Sequence, residues 1–291
     1  MKTDIYQEIT DYIVTALEKI DLQNMQAPFA QLATSKPPVN PTTEKGYNGI
    51  NTVYLWFKQY DEEYSSNEWA TYQQWKEKGA QVKKGEKSSK IIFYKQVEKK
   101  DKNLTAMDEK EFYNMVKSYS VFNADQVEGY EAKTGLEAGI FGGVESLHEI
   151  ETYIAKTKAV VKTGESAFYS PLSDDITMPE KTVFFGNGQD ATENYYAVLL
   201  HELTHWTGAK HRVDRVQSKG KAHQDYAFEE LIAELGSAFL CSKFDIKQEG
   251  REDHALYIKS WLRALKNDKK YIFKASAQAQ KAVDYLTALA V

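Results

Sequence analysis

Apolar positions in this chain fall into two alternating textures. Residues 3–20 place Ile5, Ile9, Tyr12, Ile13, Ala16, Leu17 and Ile20 on one stripe, the spacing of an amphipathic helix. A loop rich in Pro, Asn and Thr follows (KPPVNPTTEKGYNGIN), and then TVYLWFKQY, an apolar run that suits a helix or a strand. SSNEWATYQQWKEKG reads as a helix capped by serine or asparagine and ended by Gly79. AQVKKGEKSSKIIFYKQVEKK reads as a hairpin turning at KKGEKSSK, with IIFYKQV as a strand, and YSVFNADQV as another strand.

The texture changes around 124–150, where EGYEAKTGLEAGIFGGVES is Gly-rich and weakly patterned. A boundary placed there gives a first unit at 1–130, a linker at 131–145 and a second unit at 146–291. The second unit begins with a helix at about 145–160. Two short strands in SAFYSPLSDDITMPEKTVFF follow, then the helix TENYYAVLLHELTHWTG with Thr192 as its expected N-cap. DYAFEELIAELGSAFLCSKF is a second strong helix, and helices at about 252–267 and 275–289 close the chain. Short strands in both units and a helix-dominated second unit make the expected class α+β in two domains.

Composition narrows this picture. The 291 residues are 42% hydrophobic and 27% charged, a balance that excludes a disordered or fibrous chain. The N-terminus is studded with Asp and Glu and is neither a signal peptide nor an anchor, and no segment is apolar for long enough to span a bilayer. Cys241 stands alone, which excludes a disulfide framework and a cysteine-rich zinc ribbon and fits a cytoplasmic location. Net charge is −5, so the chain is no simple polycation, yet from Lys76 to Lys100 nine lysines face three glutamates. The first arginine of the whole chain is Arg212.

The candidate chemistry lies in HELTHWTGAKH, residues 201–211. On a helix, His201 and His205 are four apart and aim two imidazoles at one point, and Glu202 can reach a water held there. A catalytic zinc takes three protein ligands and leaves a fourth position open. Two sources compete for the third. His211 has the metzincin spacing H-E-x-x-H-x-x-G-x-x-H, but no methionine follows Met178, so the methionine turn of that class is missing. The helix FEELIAELGSAFL instead offers Glu230 and Glu234, four apart among Leu and Ile. One would ligate, and the other would hold a histidine by its second nitrogen. The carboxylate helix, through Glu230, is the stronger claimant. Tyr169 and Tyr226 are candidate donors to an oxyanion.

These residues resemble the ArdC-type antirestriction proteins. HELTHWTG followed by YAFEELIAELGSAFL is similar to that family's zincin-like metallopeptidase domain, as is SAFYSPLSDDITMP upstream. NPTTEKGYNGINTVYLW, WATYQQWKEKGAQVKKGEKSSKIIFY and VFNADQVEG resemble its N-terminal single-stranded-DNA-binding domain. The resemblance covers nearly the whole chain. It implies a small α+β domain that binds single-stranded DNA, followed by a mainly helical, gluzincin-type domain with a small sheet. It implies His201 and His205 as ligands of Zn2+ (or Mn2+ or another divalent ion) and Glu202 as catalytic base. E-x-x-A-E also looks like the acidic helix of gluzincin-like peptidases, which favours Glu230 as ligand and Glu234 behind it. His211 is a departure from the family pattern. The implied role is protection of incoming mobile DNA, in conjugation, against host restriction, with a restriction component as protein substrate. The alternative is a DNA-coating protein whose metal site is structural or catalytically silent.

From the residues alone, single-stranded DNA is held by basic grooves and aromatic faces. The first unit offers Trp56 and Trp69 for stacking, Lys83, Lys84 and Lys87 for phosphates, and Asn48 and Asn51 around Gly49.

Overall fold

The computed structural model describes residues 4–24, 36–98, 112–133, 144–184, 191–215, 223–246 and 254–291. Helix α1 (Ile5–Asn24) leads into a small hairpin, β1 (Val39–Asn40) with β2 (Lys45–Gly46). The ambiguous run 52–60 lies in helix α2 (Ile50–Asp61), and Val53, Tyr54, Leu55, Trp56 and Phe57 are all buried. A helix apolar on all sides belongs at the centre of a core.

Two local expectations shift. The stretch at 65–79 divides into strand β3 (Trp69–Thr71) and the short helix α3 (Tyr72–Glu77). Thr71, not a serine or asparagine upstream, caps it, in a reciprocal box with Gln74. Gly79, at φ 78°, ends it as expected. The lysine-rich stretch does not form a hairpin with itself. Its first arm, β4 (Gln81–Val82), pairs with β7 (Val127–Glu128). Its second, β5 (Ser89–Glu98), pairs antiparallel with β6 (Phe112–Asn123) from Ser89↔Val121 to Glu98↔Phe112. A ladder this long outcompetes a local turn between short arms. β6 is central in a sheet ordered β3-β6-β5.

The second half opens with α4 (Val144–Thr157). A mixed sheet follows, in which β10 (Asp175–Met178) lies between β8 (Val160–Thr163), parallel, and β9 (Phe168–Ser170), antiparallel. Next come α5 (Ala191–Thr207), α6 (His223–Lys243), α7 (His254–Asn267) and α8 (Tyr271–Leu289). Helix α5 starts at Ala191, so Thr192 lies inside its first turn instead of capping it. Of the expected linker, 134–143 fall outside the described residues.

The apolar core is continuous across both halves, from Ile9 and Trp56 to Leu231 and Leu286. α1 packs on α7, and α2 packs on α8. The Thr10 hydroxyl donates to the Lys269 carbonyl (2.8 Å), and Tyr6 packs edge-on against Phe273. Helix α8 also lies along α6, and α6 lies against α5, the helix of the histidine motif. At that crossing a Cβ on Gly236 would come within 2.5 Å of Thr204, so only glycine permits the approach. Among the described residues no helix is long and apolar enough to cross a membrane.

Candidate metal centre

One turn of α5 sets His201 and His205 side by side, with Nε2 atoms 3.1 Å apart. Glu230 on α6 faces both: its carboxylate oxygens lie 3.6 Å from His201 Nε2 and 3.5 Å from His205 Nε2. These three are a group able to hold an ion, with donor atoms within 4.8 Å of one another. The second nitrogen of each ring faces another carboxylate. His201 Nδ1 lies 3.0 Å from Glu234, and His205 Nδ1 lies 3.1 Å from Glu229. An ionised carboxylate only accepts, so His205 Nδ1 donates to Glu229, and the Glu230 carboxylate lies within reach of both Nε2 atoms. Two imidazole nitrogens and a carboxylate converge on one point, a donor set that suits a cation.

The surroundings demand positive charge. Burial disfavours charging His201, but Glu234, Glu230 and Glu202 outweigh it and lift its pKa to about 10. Burial would also raise Glu229. Hydrogen bonds from His205 and Arg215 override that and hold it at about 2. Arg215 reaches Glu229 through Nε (2.9 Å) and Nη2 (2.7 Å) and donates to the Thr204 carbonyl (2.8 Å), so the carboxylate behind His205 is itself pinned.

Glu202 is buried, and one carboxylate oxygen accepts the backbone N–H of Tyr169 on β9 (2.9 Å). The hairpin β9–β10 is tied to the segment after α5. Arg212 donates to both Asp174 oxygens and to the Tyr169 hydroxyl (3.2 Å), and its guanidinium stacks 3.8 Å over the Trp206 ring. Tyr169 in turn donates its hydroxyl to Asp174 (2.9 Å), and burial with that bond pushes its pKa to about 12.

The structure therefore brings together His201, His205, Glu230 and Glu234, with Glu202 one residue along α5. It does not bring in His211, whose side chain is 65% exposed and lies 3.3 Å from Asp174. The chain turns after Gly208, but the third histidine swings outward to the hairpin. Tyr226 is exposed on α6, four residues before Glu230 and so on the same side of that helix.

Comparison with known proteins gives the family. Residues 148–278 match the family model of a zincin-like metallopeptidase, and residues 3–122 match that of the N-terminal domain of anti-restriction factor ArdC. The crystal structure of antirestriction ArdC protein from plasmid R388 in its metal-free form superposes with TM-score 0.79 at 37% identity, over 99% of this chain and 98% of that one. The chain belongs to the ArdC antirestriction family. An Mn(II)-bound structure of the same R388 protein superposes equally well, at 36% identity and the same coverage. The uncharacterized protein y4eC of Sinorhizobium fredii is 36% identical over 98% of this chain and 92% of its own length. DNA primase TraC of Escherichia coli is 33% identical over 86% of this chain, which spans only 18% of that primase. The two-domain α+β architecture expected from the sequence is that of this family.

In the N-terminal half of this ArdC-family chain, the residues expected to meet DNA separate by burial. Trp56 and Trp69 are core residues, 2% and 0% exposed, so neither indole offers a face to a base; their apolar area filled the core instead. Asn51 is buried too, and its amide clamps Ile92 of β5 in both directions (2.8 and 2.9 Å). Asn48, Lys83, Lys84 and Lys87 are exposed, and Lys83 donates to the Asp125 carbonyl (2.8 Å). Sequence reasoning missed the pairing of Glu229 with Arg215 and the Asp174–Arg212 clamp. The signal for both was present: a chain without arginine for 211 residues places two, Arg212 and Arg215, directly after the histidine motif.

Proposed function

We propose that this chain is a two-part antirestriction protein. In this reading residues 1–130 bind single-stranded DNA, 131–145 link, and 146–291 form a divalent-metal peptidase that acts on a host restriction component in the cytoplasm. The observation that carries the peptidase half is the convergence of two imidazole nitrogens and the Glu230 carboxylate. His201, His205 and Glu230 hold the ion, zinc or manganese, and Glu234 and Glu229 orient the two rings. The chemistry such an ion supplies is Lewis acidity, which makes water a nucleophile at neutral pH and polarises a peptide carbonyl.

The chain's own residues do the rest. The Tyr169 amide steadies one oxygen of Glu202, leaving the other to accept the proton of the attacking water and return it to the leaving amine. The Tyr169 hydroxyl is held by Asp174, and Tyr226, exposed one turn before Glu230 on α6, is the second candidate for an oxyanion donor.

Metal content per chain tests the ligand set: Glu230→Ala loses the ion and His211→Ala keeps it, with fold checked by circular dichroism. Reversal of those losses would sink the assignment. Glu202→Gln tests catalysis, since it leaves fold, metal and DNA binding in place. Loss of peptide cleavage and of protection against restriction supports the peptidase reading. Retained protection favours the DNA-coating alternative with a silent metal site.

A further inference from the structure

The tryptophans are buried, so any stacking surface must be built from other rings. Among the described residues of the first half, Tyr60, Tyr72, Phe93, Tyr94 and Tyr119 are the large exposed aromatics. Two of them, Phe93 on β5 and Tyr119 on β6, pack edge to face, with centroids 5.4 Å apart at 88°. They are 50% and 44% exposed.

Strand register explains the pairing. Phe93 stands opposite Lys117, Tyr119 opposite Ile91, and Lys95 opposite Met115, so all six project from one face of the ribbon. The other face is covered: Lys90 pairs with Glu8 of α1, and the Ile92 side chain is buried in the core. Beyond the buried Ile91, the outer face thus presents two rings beside two exposed lysines, Lys117 opposite Phe93 and Lys95 next along its strand. Neither lysine enters an ion pair among the described residues. Lys95 lies about 7 Å along the strand from Phe93.

A groove of 670 Å³ opens beside this dyad. Phe93 and Tyr94 form one wall, Asn48 and Lys45 another, and Phe273 and Gln280 of α8 a third. Paired rings alone would suit many apolar partners. Rings flanked by exposed cations suit a polyanion that carries flat, stackable groups.

We propose that the outer face of the β5–β6 ribbon is the single-stranded-DNA platform. Bases stack on Phe93 and Tyr119, Lys95 and Lys117 meet phosphates, and the strand continues into the groove at Asn48 and Lys45. The proposal rests on the single-stranded-DNA reading above and moves its stacking residues from the tryptophans to this dyad.

The test is fluorescence anisotropy of a labelled oligo(dT) and an abasic strand of equal length, on the full chain. Phe93→Ala/Tyr119→Ala is expected to bind oligo(dT) about tenfold or more weakly. It should also stop distinguishing oligo(dT) from the abasic strand. Phe93→Leu/Tyr119→Leu keeps apolar bulk without rings. It is expected to be as weak, and it answers the question if the alanine variant misfolds. Lys95→Gln/Lys117→Gln should lower the salt slope of log K by about 0.7 per lysine. Wild-type binding with the ring variants within twofold overturns the platform while leaving DNA binding standing. Absence of wild-type binding instead overturns the single-stranded-DNA reading itself.

Discussion

At the scale of the residue, two arginines govern the metal centre without touching its ligand point. Arg215 and Glu229 form a buried pair, 4% and 12% exposed. Removing one partner strands a charge in the interior. Arg215→Ala is therefore expected to cost about 3–5 kcal/mol in chemical denaturation, and Arg215→Ala/Glu229→Gln to recover part of it. Arg212 acts on the hairpin that holds Glu202, and its guanidinium keeps the Asp174 carboxyl below the usual carboxylate range, against partial burial. A depressed carboxyl stabilises the fold fully above the ordinary pKa of about 3.9, and the effect fades as pH falls through the folded value. The melting-temperature gap between wild type and Asp174→Asn should accordingly be open at pH 7 and close below about pH 4. A gap unchanged at pH 2.5 would refute the clamp. The cluster itself was legible, because a helix places residues four apart on one face, which sets His201 with His205 and Glu230 with Glu234. Asp174 and Glu229 were not, since their partners lie 38 and 14 residues away and no periodicity links them.

At the scale of the element, the centre depends on how closely α5 and α6 approach. Gly236 and Thr204 meet at that crossing, two residues past Glu234 and one before His205. Gly236→Ala is expected to destabilise by about 1–3 kcal/mol through overpacking and to weaken metal binding by pushing Glu230 off the histidines. Adding Thr204→Ala should restore both, read by thermal denaturation and metal titration. The long helices were readable because each shows an uninterrupted apolar stripe. The lysine-rich hairpin misled because both of its arms have better partners far along the chain, β7 for one and β6 for the other. Trp56 and Trp69 misled for a related reason: an aromatic suits a base or a core equally well, and only the surrounding packing decides.

At the scale of the molecule, the two halves distinguished in the sequence share one interior. The apolar faces of α7 and α8 are covered by α1 and α2. Residues 146–291 expressed alone should therefore aggregate or melt at lower temperature than the full chain. Adding residues 1–130 in trans should rescue them and co-purify. A stable, soluble 146–291 fragment would contradict this dependence. The shared interior was illegible for a physical reason, since Thr10 of α1 bonds to Lys269, between α7 and α8, 259 residues away and beyond any local pattern.

That docking has a consequence for how the chain is made. During synthesis the apolar stripe of α1 emerges some 259 residues ahead of the segment at Lys269 that seats it between α7 and α8. At about 5–20 residues per second, the stripe waits roughly ten to fifty seconds for its partner. Throughout that interval the nascent chain displays a sticky amphipathic helix, and a holdase that covers it would raise the yield of folded protein.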